Sequence, residues 1–232
     1  MAADSTDFLE EQLKFPRVAQ ANLEKGKIVN QLLSSKNIST SDFDLFLRAF
    51  KKQEKLEVWA KNKTQKTYLL IKTYDFCTTS GVLGPKRKSG DGQIPEGFYE
   101  VNMFNPQSLY HLSFMINYPN QSDLFFADKQ NPGNEIFIHG DCVSVGCIPI
   151  GDENIKELYL LAIKAKNAGS TIQVHIFPSI MEGESYSSLK LAFGSNKGLL
   201  GFWSHLKPIY DGFEKNKILP TIKVDGKGYY KF

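Results

Sequence analysis

The spacing of apolar residues changes several times along the chain, and each change predicts an element. Val18, Ala21, Ile28, Val29, Leu32 and Leu33 form a partial helical stripe interrupted by Gly26, with Pro16 suited to the first turn. Phe43, Phe46, Leu47 and Phe50 fall at i, i+3, i+4 and i+7, behind the cap candidates Ser39, Thr40 and Ser41 and before the basic pair Lys51-Lys52. A second helix of a short pair is expected there. From Leu56 the period drops to two. Leu56–Ala60 and Thr67–Ile71 flank the polar run Lys61–Lys66 and predict a β-hairpin. The Gly-, Pro- and cation-rich stretch 81–97 predicts a long surface loop, followed by a strand at Phe98–Val101. Further short strands are expected at Leu112–Asn117, Glu135–His139 and Ile172–Phe177. Between the last two, Asp152 offers a cap for a helix whose apolar face is Ile155, Leu158, Tyr159 and Ala162, with Gly169 just past its end. An aromatic-rich helix at Phe202–Phe213 and a terminal hairpin or edge strands at Thr221–Val224 and Tyr229–Phe232 close the chain. A β-rich middle with helices at both ends makes the class α+β. The expected organisation is a helical segment at 1–54, a main domain at 55–180 and a C-terminal extension packed on it at 181–232.

Composition adds bounds. The chain has 232 residues, enough to bury a substantial core. With 41% hydrophobic and 23% charged residues of mixed sign, it has the balance of an ordinary globular protein. A net charge of +3 leaves no electrostatic footprint for nucleic acid. No apolar run reaches the roughly 20 residues that span a bilayer. Residues 1–7 contain neither the basic nor the apolar region of a secretory signal, so an envelope location is expected only with a leader absent from this sequence. Three cysteines, Cys77, Cys142 and Cys147, cannot all pair within one chain, which raises the expectation of a reactive thiol.

The segment with chemical content is Ile136-Phe137-Ile138-His139-Gly140-Asp141-Cys142-Val143-Ser144-Val145-Gly146-Cys147. A histidine at the end of a strand has a fixed backbone, and Gly140 lets the chain turn sharply behind it. Only eight residues separate His139 from Cys147, so a loop that doubles back returns the thiol toward the imidazole. An imidazole can take the thiol proton, and the thiolate attacks carbonyls. Backbone N–H groups of Gly146 and Cys147 are candidates for an oxyanion site. The second nitrogen of His139 needs an acceptor, for which a backbone carbonyl or the Ser144 region is expected rather than a distant acid.

The order strand-Ile-His-Gly followed by Ser-x-Gly-Cys resembles the YkuD-type L,D-transpeptidase signature at His139, Gly140, Ser144, Gly146 and Cys147. Val145 replaces the second histidine usual in that family, Pro149 replaces an arginine found in many members, and the linker from His139 to Ser144 is short. These departures resemble the YafK-like branch, as do Gly84-Pro85-Lys86, Gly90-Asp91, Pro95-Glu96-Gly97-x-Tyr99 and Asn117-Tyr118-Pro119-Asn120. The resemblance implies a β-sandwich-like catalytic domain acting on peptidoglycan stem peptides in a bacterial cell envelope, with no cofactor. Cys147 would form a thioester and His139 would serve as base. An amine resolves that thioester in transpeptidation and water in carboxypeptidation. The same chemistry can also cut links at the position-three diamino acid, and it admits an envelope protein as acceptor or substrate.

Other residues carry weaker expectations. Cys142 is expected to be a small hydrophobe or to support the site, with redox pairing to Cys147 or Cys77 as the lesser alternative. Ser144 is either a turn hydroxyl or a group that orients the site. The Tyr118 phenol is a candidate border of the cleft, and Lys86, Arg87 and Lys88 are candidates to receive a substrate carboxylate. His111, His175 and His205 have no motif around them. A zinc site on His139, Cys142 and Cys147 is the rival from another class, without an evident fourth ligand. An inactive binding module on the same fold is the other.

Overall fold

The computed structural model describes residues 7–232. Two helices, α1 (Phe8–Leu13) and α2 (Pro16–Ser34), open the chain. Gly26 does not break α2. A helical glycine costs about 1 kcal/mol relative to alanine, and burial of Val18, Ala21, Val29 and Leu33 on one face outweighs it.

The expected helix at 43–50 is instead strand β1 (Phe43–Phe50). It pairs antiparallel with β2 (Lys55–Asn62) and parallel with β8 (Gln173–Phe177), so it lies inside the sheet. Both of its faces are covered: Leu45, Leu47 and Ala49 join the core beneath α2, whereas Phe46 and Phe50 pack toward the C-terminal helix. A strand buried on both faces has an apolar run without alternation, and that run coincides with a helical stripe by number alone. A division of the chain at residue 54 would separate β1 from both of its partners.

Strands β3 (Leu69–Asp75), β4 (Gly97–Asn105), β5 (Ser113–Ile116), β6 (Phe137–His139) and β7 (Ile148–Pro149) complete an eight-stranded sheet of order β3-β2-β1-β8-β4-β5-β6-β7. The expected hairpin is β2–β3. β4 joins the two halves of the sheet: Gly97–Glu100 pair with β8, and Val101–Asn105 pair with β5 after a register shift between Val101 and Met103. Irregularities of this kind bend a strand, and here the bend falls where β4 passes from β8 to β5, β6 and β7 within one curled sheet that shares one core.

Helix α4 (Asp152–Asn167) buries Ile155, Leu158, Tyr159 and Ala162 as expected, and Gly169 follows its end at φ 79°. Its N-cap is Gly151, however, and Asp152 is its first helical residue. Beyond β8, α5 (Gly183–Ala192) precedes α6 (Lys197–Asn216), and the chain ends in a hairpin of β9 (Lys223–Val224) and β10 (Tyr230–Lys231). α6 lays Trp203, Leu206, Tyr210 and Phe213 against Phe50, Phe177, Phe46 and Trp59 on the face of the sheet opposite α2 and α4. The fold is therefore α+β, with helices covering both faces of the first half of a curled sheet. A short helix α3 (Gln121–Phe126), closed by a capping box between Asn120 and Asp123, was not apparent in the periodicity, nor was α5.

Candidate active site

His139 ends β6, and Cys147 lies immediately before the neighbouring strand β7. β6 and β7 run parallel with Ile138 opposite Ile148 and His139 opposite Pro149. Continuing that register places Cys147 beside Phe137, two residues from His139 and on the same face of the pair. Strand spacing and rise put the two Cα atoms about 8 Å apart, a span that a thiol and an imidazole can bridge. The thiol instead rests against the β6 backbone: Sγ accepts from Phe137 N–H at 3.4 Å and faces the Glu135 carbonyl at 3.8 Å. Among the described residues, no hydrogen bond joins Sγ to the imidazole.

The imidazole is buried, with the Tyr110 ring over it at 4.7 Å. Nδ1 lies 2.5 Å from the carbonyl oxygen of Gly140. A carbonyl only accepts, so Nδ1 carries the proton and Nε2 keeps its lone pair. The expected orienting acceptor is thus a backbone carbonyl. Burial lowers the His139 pKa below its ordinary 6.5, against opposing effects of the Gly140 carbonyl and Asp141. Burial raises the Cys147 pKa above 9.0, although the Phe137 N–H and the Lys86 ammonium favour the thiolate. Near pH 7 the resting pair is therefore a neutral thiol and a neutral imidazole, competent for proton transfer as the thiol attacks.

The loop between them is fastened at several points. Gly140 sits where a Cβ would meet Asp152 Oδ1 at 2.6 Å and the Tyr110 carbonyl at 2.9 Å. Asp152 uses its carboxylate to accept from Asp141 N–H at 2.7 Å, so it ties the loop to α4 rather than capping the helix. Cys142 forms a disulfide with Cys77, 65 residues away. The pairing with Cys77 thus replaces the small-hydrophobe expectation, leaves Cys147 as the free cysteine, and removes Cys142 from the proposed zinc ligand set. Closing a loop of that length constrains the unfolded chain by about 4 kcal/mol in the entropic treatment.

The oxyanion expectation needs correction in one respect. Gly146 has φ 107°, and its N–H donates to Ser80 Oγ at 2.7 Å, so that donor is occupied. The Cys147 N–H has no protein partner among the described residues and is the available donor. Ser144 donates to the Cys147 carbonyl at 2.8 Å and contacts Ser80 Oγ at 3.1 Å, so its hydroxyl ties the loop together beside Cys147. Ser80 was missed because nothing at its position in a polar loop signals a bond formed 66 residues later.

The weaker candidates are mostly engaged in structure. Tyr118 is buried, its phenol donates to the Pro132 carbonyl at 2.9 Å, and it precedes a cis proline. Lys86 is buried and paired with Asp91 at 2.6 Å, so it is not a free receptor for a carboxylate. Its ammonium still acts on the thiol electrostatically. Arg87 points away from this site, between the Phe126 and Phe202 rings. His175 is fully enclosed, and burial with Arg48 nearby drops its pKa to about 3. His111 has φ 68° and a buried Nε2 without a hydrogen-bond partner.

Comparison with known proteins shows the family. Residues 47–174 match the model of the YkuD L,D-transpeptidase catalytic domain. YafK of Escherichia coli strain K12, whose L,D-transpeptidase name is itself provisional, is 35% identical over 188 residues, covering 78% of this chain and 70% of YafK. Among solved structures, the helical cell shape determining protein Pgp2 of Campylobacter jejuni is 19% identical with a TM-score of 0.48, covering 85% of this chain and 80% of that one. Bd1075 of Bdellovibrio bacteriovorus is 29% identical with a TM-score of 0.42, covering 59% and 49%. The matched span runs from the central strand β1 through β8 and includes both His139 and Cys147, and with it the chain belongs to the YkuD L,D-transpeptidase catalytic domain family.

Proposed function

We propose that this protein is a cysteine-dependent peptidoglycan L,D-transpeptidase that acts through a Cys147 thioester, with His139 as base. The observation that carries this reading is the β6–β7 register, which sets Cys147 and His139 on one face. The Gly140 carbonyl leaves Nε2 of His139 free to accept a proton. Rotation about the Cys147 Cα–Cβ bond turns Sγ from the Phe137 backbone toward that nitrogen.

As Nε2 takes the proton, Sγ attacks the carbonyl between the L-centre of the position-three diamino acid and the D-residue at position four. The developing oxyanion is received by Cys147 N–H. Collapse breaks the C–N bond, the imidazolium returns the proton to the departing amine, and a thioester remains. An acceptor amine then attacks the thioester, His139 takes its proton, and the thiol is regenerated. The setting is a bacterial envelope, where the Cys77–Cys142 disulfide suits an oxidising compartment. No helix among the described residues is long and apolar enough to cross a membrane.

The test is incubation with tetrapeptide muropeptides and an amine acceptor, with products identified by mass. The expected result is release of the terminal D-residue, a transient adduct on Cys147 and a new cross-link, all absent with Cys147→Ala. Turnover without an adduct, or turnover retained by Cys147→Ala, would overturn the proposal. Release of the D-residue without a new cross-link would assign hydrolysis instead.

A further inference from the structure

A cavity of about 480 Å³ lies between α3, the start of α6 and the terminal hairpin. Arg87, Phe126, Lys197, Phe202, His205 and Tyr229 form most of its wall. Its volume is in the range of small-ligand sites, and no acidic side chain lines it.

Arg87 is held in place with hydrogen-bonding capacity left over. Its guanidinium lies 5.3 Å from the Phe126 ring and 5.2 Å from the Phe202 ring, which fixes its plane. Its side chain makes no hydrogen bond among the described residues. Nη1 is buried without a hydrogen-bond partner and forms an ion pair with Asp123 Oδ1 at 3.5 Å, and Arg87 lines the cavity. Asp123 supplies only that one contact: its Oδ2 accepts from the Tyr99 hydroxyl at 3.0 Å and from Asn120 N–H at 3.1 Å, and burial pushes its pKa up to about 6. Lys197 makes no ion pair among the described residues. His205 stacks on Tyr229 at 4.2 Å and adds a ring N–H. Asp225 stands beyond His205 and is tied to the backbone N–H groups of Lys227 and Tyr229.

We infer that this cavity binds a free peptide carboxylate, with Arg87 and Lys197 as the cations and the Phe126, Phe202 and Tyr229 rings as an apolar flank. A planar, preorganised guanidinium matches a carboxylate in two-point geometry, and the rings favour a carboxylate attached to an organic group over a bare hydrated ion. The cavity belongs to the C-terminal extension as much as to the domain matched by the family, and Lys197, Phe202, His205 and Tyr229 lie beyond residue 174. Lys86 and Arg87 turn to opposite sides of one segment, the first acting on the thiol and the second on this cavity. The inference rests on the peptidoglycan reading only for the source of the ligand: a stem peptide bearing carboxylates, held by the extension while Cys147 acts.

Binding is measured by calorimetry and amide NMR on the full chain carrying Cys147→Ala, so that no turnover intervenes. The probes are a stem tripeptide with free carboxylates, the same tripeptide fully amidated, and inorganic phosphate. The tripeptide is expected to shift the Gly198 and Gly201 amides, and the amidated form to bind at least about tenfold more weakly. Arg87→Gln and the more exposed Lys197→Gln should each weaken the tripeptide about tenfold while the remaining amide spectrum stays folded. If tripeptide shifts are confined to Gly140–Cys147, or if Lys197→Gln and Arg87→Gln leave its affinity unchanged, the cavity is not its site, whatever the fate of the Cys147 chemistry. If phosphate moves these amides and the tripeptide does not, the carboxylate assignment fails. A cavity that binds the tripeptide in a protein lacking transpeptidase activity would uphold the inference and defeat the enzymatic reading alone.

Discussion

The segment Gly140–Cys147 and the segment 81–97 both border the candidate site, yet they are held by different means. The first is fastened by a covalent bond from Cys142 to Cys77, by the Asp152 carboxylate on its backbone, and by a glycine whose position admits no side chain. The second is fastened by buried charge. Lys51 Nζ donates to the Gly84 and Ile94 carbonyls at 2.7 and 2.8 Å and lies 3.0 Å from Glu96. Glu96 in turn accepts from Gly84 N–H and from the Trp203 indole on α6, both at 2.7 Å. The two segments meet where Gly146 approaches the Gln93 carbonyl. The proposed nucleophile, on a short loop fastened at several points, thus faces a wall that takes its shape from charges placed by the core and from the C-terminal helix.

Separating the two kinds of support gives a ranked series of outcomes. His139→Gln should remove the base without disturbing the disulfide or the buried ions. Thioester formation is expected to fall about 10²- to 10⁴-fold in single-turnover measurements, with little change in urea unfolding. Lys51→Met should do the reverse. It leaves Glu96 buried without its cation, so unfolding in urea is expected to lose about 3–5 kcal/mol. Replacing both Cys77 and Cys142 with serine should cost up to about 4 kcal/mol and should raise hydrogen exchange at 140–147 more than at 81–97. Equal loosening of both segments would undo the distinction.

Ser80→Ala tests the seam between them. It frees the Gly146 N–H and removes one contact of Ser144, at a cost of about 1 kcal/mol in stability. The more telling readout is kcat, since the released N–H becomes a second oxyanion donor or the loop loses its aim. The smallest effect is expected in pH dependence. His139 must be neutral to act as a base, and burial holds its pKa below 6.5, so the acid limb of kcat/KM should lie below that value. Alkylation of Cys147 by iodoacetamide should climb toward an inflection above 9. An inflection below 7 would indicate a preformed thiolate–imidazolium pair in place of the neutral one.

How much of this was legible in the sequence depended on distance along the chain. His139 and Cys147 are eight residues apart, and both the turn between them and the adjacent helix follow from local signals. The β2–β3 hairpin and the apolar face of α4 are likewise short-range patterns. β1 reads as a helix because burial on two faces erases the alternation that distinguishes a strand. Lys86 and Arg87 lay in a cation run that usually indicates solvated charge, and only the packed structure shows one ammonium buried on Asp91 and one guanidinium held between two rings.

The sequence alone therefore determined the class of fold and supplied the proposed nucleophile and base, because each is signalled by residues that lie close together along the chain. The tertiary structure decided which cysteine stays free, which N–H remains open for an oxyanion, and which cations are spent on internal pairs. The disulfide and the Ser80 contact each join residues 65 or more apart, where chain entropy opposes the encounter and only the packed core brings the partners together.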